Sequence, residues 1–278
     1  MVGLGSMARA LLVPLLEAGR LDPAEVRAVV ATEASAQALS GLQGLRVGTD
    51  PAEAWRCSTV LLAVKPQQLE AVAAGVPARE APEPPLLISV LAGVSLGRLA
   101  RLFPGRRLVR AVPNTPCLVG AGLTALAFGE GVGAEAQEWV RSLFARVGEV
   151  MELPESQLDA FLALTSSGPA FVALVAEAMA DGAVAAGLPR RLAMHLAHRT
   201  LAGTAALLHQ RELHPGQLKD MVSSPGGTTI AGLRRLESGG LRSALIEAVL
   251  AAAERSRELG AAGMVQPPAA AKPEGLAG

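Results

Sequence analysis

Apolar and polar positions follow two different rhythms along this chain, and the change falls at Pro154. Before it, short apolar runs alternate with stretches of helical spacing. Val26–Ala31, Thr59–Val64, Leu86–Val90, Leu108–Val112, Leu123–Phe128 and Gly148–Glu152 read as strands, because runs this short and rich in Val, Leu and Ile suit buried strands. Leu11, Leu12, Leu15 and Leu16 predict a helix near the start, closed by Gly19. Strands alternating with helices predict an α/β, Rossmann-like doubly wound parallel sheet, with ligands at the carboxyl ends of its strands. After Pro154 the strand signals stop. Gln157–Thr165, Ala170–Ala186, Arg190–His209 and Leu241–Leu259 read as helices, and Ile230, Leu233 and Leu236 lay one apolar stripe on another. Ala170–Ala186 is apolar nearly all round and must be covered on every side. A domain this small has little interior, so a subunit interface is expected to cover it. The expected organisation is residues 1–153 as a dinucleotide-binding domain, 154–260 as an all-α substrate and dimerisation domain, and 261–278, rich in Ala, Pro and Gly, as a disordered tail.

The first half contains two irregularities. Only Met1 and Val2 precede the first glycine turn, so the first strand, normally central in such a sheet, is truncated. Pro14 lies inside the first helical pattern, where it removes a hydrogen bond and favours a kink.

Composition removes several classes of function. A formal net charge of zero offers no broad electrostatic hold on nucleic acid or acidic lipid. With no Tyr, five Phe and two Trp there is no platform for stacking bases. Cys57 and Cys117 are too few for a disulfide framework and suit a reducing compartment. Glu177 and Asp181 interrupt Ala170–Ala186, which is short for a membrane span. A motif begins at once, so no signal or transit peptide is expected. Together these point to a soluble cytoplasmic protein without a membrane or nucleic-acid partner.

The candidate chemistry lies at both ends of the chain. Gly3-Leu4-Gly5-Ser6-Met7-Ala8 forms a glycine turn between strand and helix, which lets backbone amides approach a pyrophosphate, with Ala8 small enough for helix–strand packing. Glu33, at the end of the next strand, is placed to accept hydrogen bonds from an adenosine ribose; the competing reading is a solvated loop carboxylate. Ala63-Val64-Lys65-Pro66, Leu91-Ala92-Gly93 and Pro113-Asn114-Thr115-Pro116 all fall at strand ends. In the second half, Ser223-Ser224-Pro225-Gly226-Gly227-Thr228-Thr229 runs into the helix of Ile230, where free amides and the dipole favour an anion. An ordinary Ser/Thr cap after a turn is the plain alternative. His195 and His198, three apart, lack a third ligand at matching spacing, so no metal site is expected. His209 and His214 flank a helix end and suit local capping.

The run Leu218–Gly240 (LKDMVSSPGGTTIAGLRRLESGG) resembles the signature of pyrroline-5-carboxylate reductases. The glycine turn, Ala63–Pro66, Ala92-Gly93-Val94, Pro113–Pro116, Ser167–Ala170 and His214–Leu218 resemble further family segments, in the family's order. The resemblance implies reduction of 1-pyrroline-5-carboxylate to proline with NADH or NADPH. It also implies an interlocked homodimer, often built further into decamers, and a likeness to cytosolic members. It implies that Thr229 hydrogen-bonds the ring nitrogen, that Glu212 lies near the site, that Asn114 and Thr115 line the nicotinamide side, and that Lys65 belongs to the loop over the cofactor. The substrate carboxylate would sit on the amides of Gly226, Gly227 and Thr228, with Ser224 beside it. Ser166 stands where the family usually has glycine, and Glu33 where members often carry a small or polar residue; the latter favours NADH. Two other readings are a β-hydroxyacid dehydrogenase and a catalytically silent, oligomeric dinucleotide-binding protein. The first needs a helical lysine after the glycine-containing turn near residue 168, and the only lysines are Lys65, Lys219 and Lys272.

Overall fold

The computed structural model describes residues 1–76 and 85–262. The expected tail lies outside them except for its first two residues, which belong to a helix. Chain contacts divide the protein into two units: residues 1–166 with the chain from 252 onward, and residues 167–251.

The first unit is built on strands β1 (Arg27–Val29), β2 (Arg46–Gly48), β3 (Thr59–Leu62), β4 (Leu86–Ser89), β5 (Arg107–Val112), β6 (Gly122–Phe128) and β7 (Gly148–Glu152). β1 pairs with β2, and β3 to β7 pair in chain order. Val2 bridges the two sets, parallel to both Val29 and Leu62. Val2 alone thus occupies the central position between β1 and β3. All pairs between named strands are parallel except β5–β6. That pair corrects the expectation of a wholly parallel sheet. The link from Pro113 to Ala121 is a single 3₁₀ turn, too short for the crossover that a parallel return requires.

Helices cover both faces. α1 (Ser6–Glu17) runs through Pro14 without a break, followed by α2 (Glu33–Ala38), α3 (Pro51–Trp55), α4 (Leu69–Ala74), α5 (Leu96–Leu102) and α6 (Ala134–Phe144). Every residue of β4 is buried. Its side chains still alternate: Leu87 packs in the cluster of Trp55, Leu69 and Leu99, while Leu86 and Ile88 pack with Leu11, Leu15 and Phe144. Two buried faces erase the polar half of the strand period, so the run looks uniformly apolar in sequence.

A buried charge fastens the end of this unit. Arg110 on β5 is 3% exposed and bonds Glu155 at 3.3 Å and Asp159 at 3.2 Å. Asp159 also accepts the Ser256 hydroxyl at 2.7 Å, and Glu155 the Leu96 amide at 2.7 Å. Asp159 lies on α7 (Leu158–Thr165). The second unit holds α8 (Gly168–Ala185), α9 (Arg190–Gln210), α10 (Pro215–Met221), α11 (Thr228–Ser238) and the first part of α12 (Leu241–Ala262), whose remainder, with Ser256, belongs to the first unit. α8 and α9 pack through small residues, Ala180 against Ala193 and Ala197. Only Ala176 and Ala180 of α8 are buried, so within one chain the helix lacks the all-round cover its composition demands. α10 was not anticipated; His214 caps it, its Nδ1 accepting the Gly216 amide at 3.1 Å.

Candidate active site

A crevice of about 530 Å³ opens at the carboxyl ends of Val2, β1 and β3. Gly3, Leu4, Gly5, Ala63, Val64 and Lys65 all border it, so the predicted glycine turn and the Ala63–Lys65 segment share one wall. Gly3 has φ +89°, and a Cβ there would come within 2.6 Å of the Ala63 carbonyl oxygen, so only glycine fits. Gly5 caps α1 without a side chain, and nothing stands within 4 Å of where its Cβ would be. A bulky group can therefore approach the open first turn of α1, whose amides and dipole attract phosphate. Ala8, 1% exposed, packs the helix onto the strand as expected. Ser6 is exposed and Met7 half-buried in the same first turn.

Glu33 is exposed at the start of α2, where Thr32 caps the helix by accepting the Ser35 amide. Its carboxylate accepts the Thr49 hydroxyl at 2.5 Å, and both Thr49 and Ser35 border the crevice. Neither was anticipated. Thr49 follows β2, whose Arg-Val-Gly sequence carries no apolar pattern, so nothing in the sequence located it.

The other two strand-end segments are held from behind. Gly93 (φ +71°) lies where a Cβ would come within 2.6 Å of the Ser256 carbonyl oxygen; the glycine lets α12 pack on the loop, with Ala92 half-buried beside it. The Asn114 side chain is buried and held at both ends: its amide donates to the Thr165 carbonyl at 3.0 Å and its oxygen accepts the Leu123 amide at 2.8 Å. The Ser166 hydroxyl donates to the Pro113 carbonyl at 3.1 Å. The serine that replaces the usual glycine thus pins the same turn. Thr115 is exposed and Pro66 half-buried.

In the helical unit, Gly227 caps α11 and Gly226 has φ +65°. The Gly227 amide closes a turn on the Ser224 carbonyl at 3.0 Å, so it is already occupied. The donors open at the helix start are the amides of Thr228, Thr229 and Ile230. A Cβ on Gly227 would come within 2.3 Å of the Ser224 hydroxyl, which packs directly over the turn. Ser223 Oγ is buried without a hydrogen-bond partner. Glu212 is exposed, just before α10, and has φ +49°, a left-handed conformation that costs a residue with a side chain about 1–2 kcal/mol.

A doubly wound sheet with a glycine turn at a helix start, followed by an all-helical unit with a second glycine-bearing loop at a helix start, has the architecture of a dinucleotide-dependent oxidoreductase. Residues 155–259 match the family model described as pyrroline-5-carboxylate reductase dimerisation, and residues 1–93 match NADP oxidoreductase coenzyme F420-dependent. The pyrroline-5-carboxylate reductase of Synechocystis is 47% identical over 93% of this chain and 97% of its own length, and that of Thermus thermophilus is 44% identical with the same coverage. Among solved structures, the Plasmodium falciparum pyrroline carboxylate reductase with NADP bound superposes with a TM-score of 0.84 at 29% identity, covering 93% of this chain and 96% of that one. The Coxiella burnetii pyrroline-5-carboxylate reductase gives 0.81 at 33% identity with the same coverage. The chain belongs to the pyrroline-5-carboxylate reductase family.

Proposed function

We infer that this protein reduces 1-pyrroline-5-carboxylate to L-proline, the last step of proline biosynthesis, at the expense of NAD(P)H. The observation that carries the reading is the loop before α11, with three open amides at a helix start and two glycines that clear the approach to them. The substrate carboxylate binds the amides of Thr228 and Thr229, with Gly226 and Gly227 leaving room and Ser224 alongside. The Thr229 hydroxyl orients the ring nitrogen; as a poor acid it does not supply the proton, which comes from water or arrives with the iminium. Glu212 stabilises that iminium by charge. The cofactor is held by Gly3, Leu4, Gly5, Ser6 and Met7 at its pyrophosphate, and by Ala63–Pro66, Ala92-Gly93 and Thr115 along its length. Asn114 acts by fixing the Pro113–Pro116 turn. When bound, the reduced nicotinamide supplies the hydride. With no strong acid assigned, the rate rests on holding donor and imine in register.

The Glu33 carboxylate, steadied by Thr49, favours a ribose 2′-hydroxyl and repels a 2′-phosphate, so NADH is the preferred donor. We keep the functional boundary at residues 153/154, next to the start of the dimerisation match. Within the helical stretch 155–185, one 18-residue window has a mean hydropathy of 1.6, which satisfies the length and composition of a membrane span, and 17% of that window is buried in one chain. We assign that surface to a second copy in a homodimer, with decamers as a further assembly, in the cytoplasm. The test is purified protein with pyrroline-5-carboxylate and either cofactor, following loss of reduced nicotinamide absorbance. Turnover with a higher kcat/KM for NADH is expected. A folded oligomer that binds proline and turns over neither cofactor refutes the enzyme reading.

A further inference from the structure

One helix splints the end of β5. At its start, Asp159 of α7 binds the buried Arg110, and the fully buried Leu158 packs with Val112 of β5 and Ala125 of β6. At its end, α7 and the Pro113–Pro116 turn exchange one hydrogen bond in each direction. The Asn114 side chain donates to the Thr165 carbonyl at 3.0 Å, one of the carbonyls that a helix end leaves without an intrahelical partner. The Ser166 hydroxyl donates to the Pro113 carbonyl at 3.1 Å. Both residues are tied by their backbones as well: the Ser166 amide binds the Leu162 carbonyl at 2.9 Å, and the Asn114 carbonyl accepts the Cys117 amide at 3.2 Å. The Thr165 hydroxyl is spent on the Phe161 carbonyl at 2.7 Å, which leaves Ser166 to reach the turn.

Sheet order says what this turn faces. Val2, β3, β4 and β5 lie side by side, and at about 4.8 Å per strand the end of β5 is roughly 14 Å from the glycine turn. Under the reaction and cofactor proposed above, on which this inference rests, the pyrophosphate belongs at that turn. The adenosine then belongs on the β1 side, where Thr49 and Ser35 border the crevice. The nicotinamide half extends the other way, over the carboxyl ends of β4 and β5.

We propose that Ser166 is a positioning residue for hydride transfer: its hydroxyl holds the Pro113 carbonyl, and with it the turn that keeps the nicotinamide ring in register with the imine carbon. Displacing donor from acceptor by about 1 Å can cost about a hundredfold in rate. Binding is spread over the whole dinucleotide and depends far less on one turn.

Ser166→Ala removes the hydroxyl and Ser166→Thr keeps it. The first readout is amide hydrogen exchange without cofactor, at Cys117 and Leu123, whose amides bond Asn114. Both should exchange about fivefold faster in Ser166→Ala, as on loss of one hydrogen bond of ordinary strength, and at the wild-type rate in Ser166→Thr. The second readout is turnover: in Ser166→Ala kcat should fall about tenfold, with KM for NADH within about twofold of the wild type. With NADH deuterated at the transferred hydrogen, the isotope effect on kcat should rise, because chemistry has become the slower step. Ser166→Thr should recover both; if it matches Ser166→Ala instead, side-chain shape and not the hydroxyl is what counts, and the proposal is wrong. Unchanged exchange would show that the bond does not hold the turn, and overturns the proposal whatever the turnover. Faster exchange with kcat and isotope effect unchanged makes Ser166 a structural cap of α7 and overturns it too. A wild type that turns over neither cofactor refutes the assigned reaction and takes this proposal with it, an outcome distinct from a working wild type whose Ser166→Ala variant works equally well.

Discussion

At the scale of single residues, two positions separate chemistry from structure. Thr229 opens α11 beside free amides, and its hydroxyl is assigned to the ring nitrogen. Thr229→Val keeps the shape and removes that group, so kcat should fall about a hundredfold, as on loss of one transition-state donor, with NADH affinity unchanged; steady-state kinetics and a binding titration measure both. Glu212 sits in a left-handed conformation that glycine adopts freely. Glu212→Gly should therefore gain about 1 kcal/mol in a denaturant titration while losing activity. If activity survives, the glutamate is a turn residue and leaves the mechanism. Other residues changed meaning once their partners were visible. Asn114, expected beside the nicotinamide, spends its side chain on two backbone groups. Gly93, expected against the cofactor, is required by the close approach of α12.

At the scale of elements, ion pairs decide how pieces dock in the first unit. Asp159 takes both the buried Arg110 guanidinium and the Ser256 hydroxyl. Asp159→Leu leaves a nearly inaccessible charge short of a partner, and should cost about 3–5 kcal/mol in chemical denaturation. Glu70 on α4 pairs with the buried Arg98 on α5, and the hydrogen bond from Arg98 holds its carboxyl below the ordinary 4.5. A carboxylate with a lowered pKa stabilises the fold above its unfolded value and loses that contribution as pH falls through the folded one. The stabilities of the wild type and Glu70→Gln should therefore differ above pH 4.5 and converge in more acid solution, by thermal melts across pH. The effect is small, because the glutamate side chain is 55% exposed.

At the scale of the molecule, the apolar surface of the helical unit is the dominant fact. Val172, Leu174 and Met179 on α8 are 53%, 66% and 42% exposed in a single chain, and the family model for this region is a dimerisation model. Leu174→Glu places a charge in the proposed interface and should shift the protein toward monomer in analytical ultracentrifugation, with the sheet unit still folded by circular dichroism. An unchanged oligomer would place the interface elsewhere.

Much of this was legible from periodicity and turn chemistry alone. Six of the seven named strands, the change at Pro154, the long helices and both glycine-bearing loops follow from local pattern, because burial and backbone conformation constrain neighbouring residues directly. β2 was not legible, since three residues of Arg-Val-Gly carry no period. The antiparallel return of β6 was not read from the apolar runs, because a strand's hydrophobicity does not state its direction. Arg110 stood in an apolar strand with its carboxylate partners 45 and 49 residues away, a separation that no local pattern spans. The sequence by itself determined where strands, helices and ligand-approach glycines lie. Only the tertiary structure decided which polar groups meet and that Val2 bridges the two sets of strands. Those depend on contacts between distant segments, and such contacts leave no mark in the order of residues.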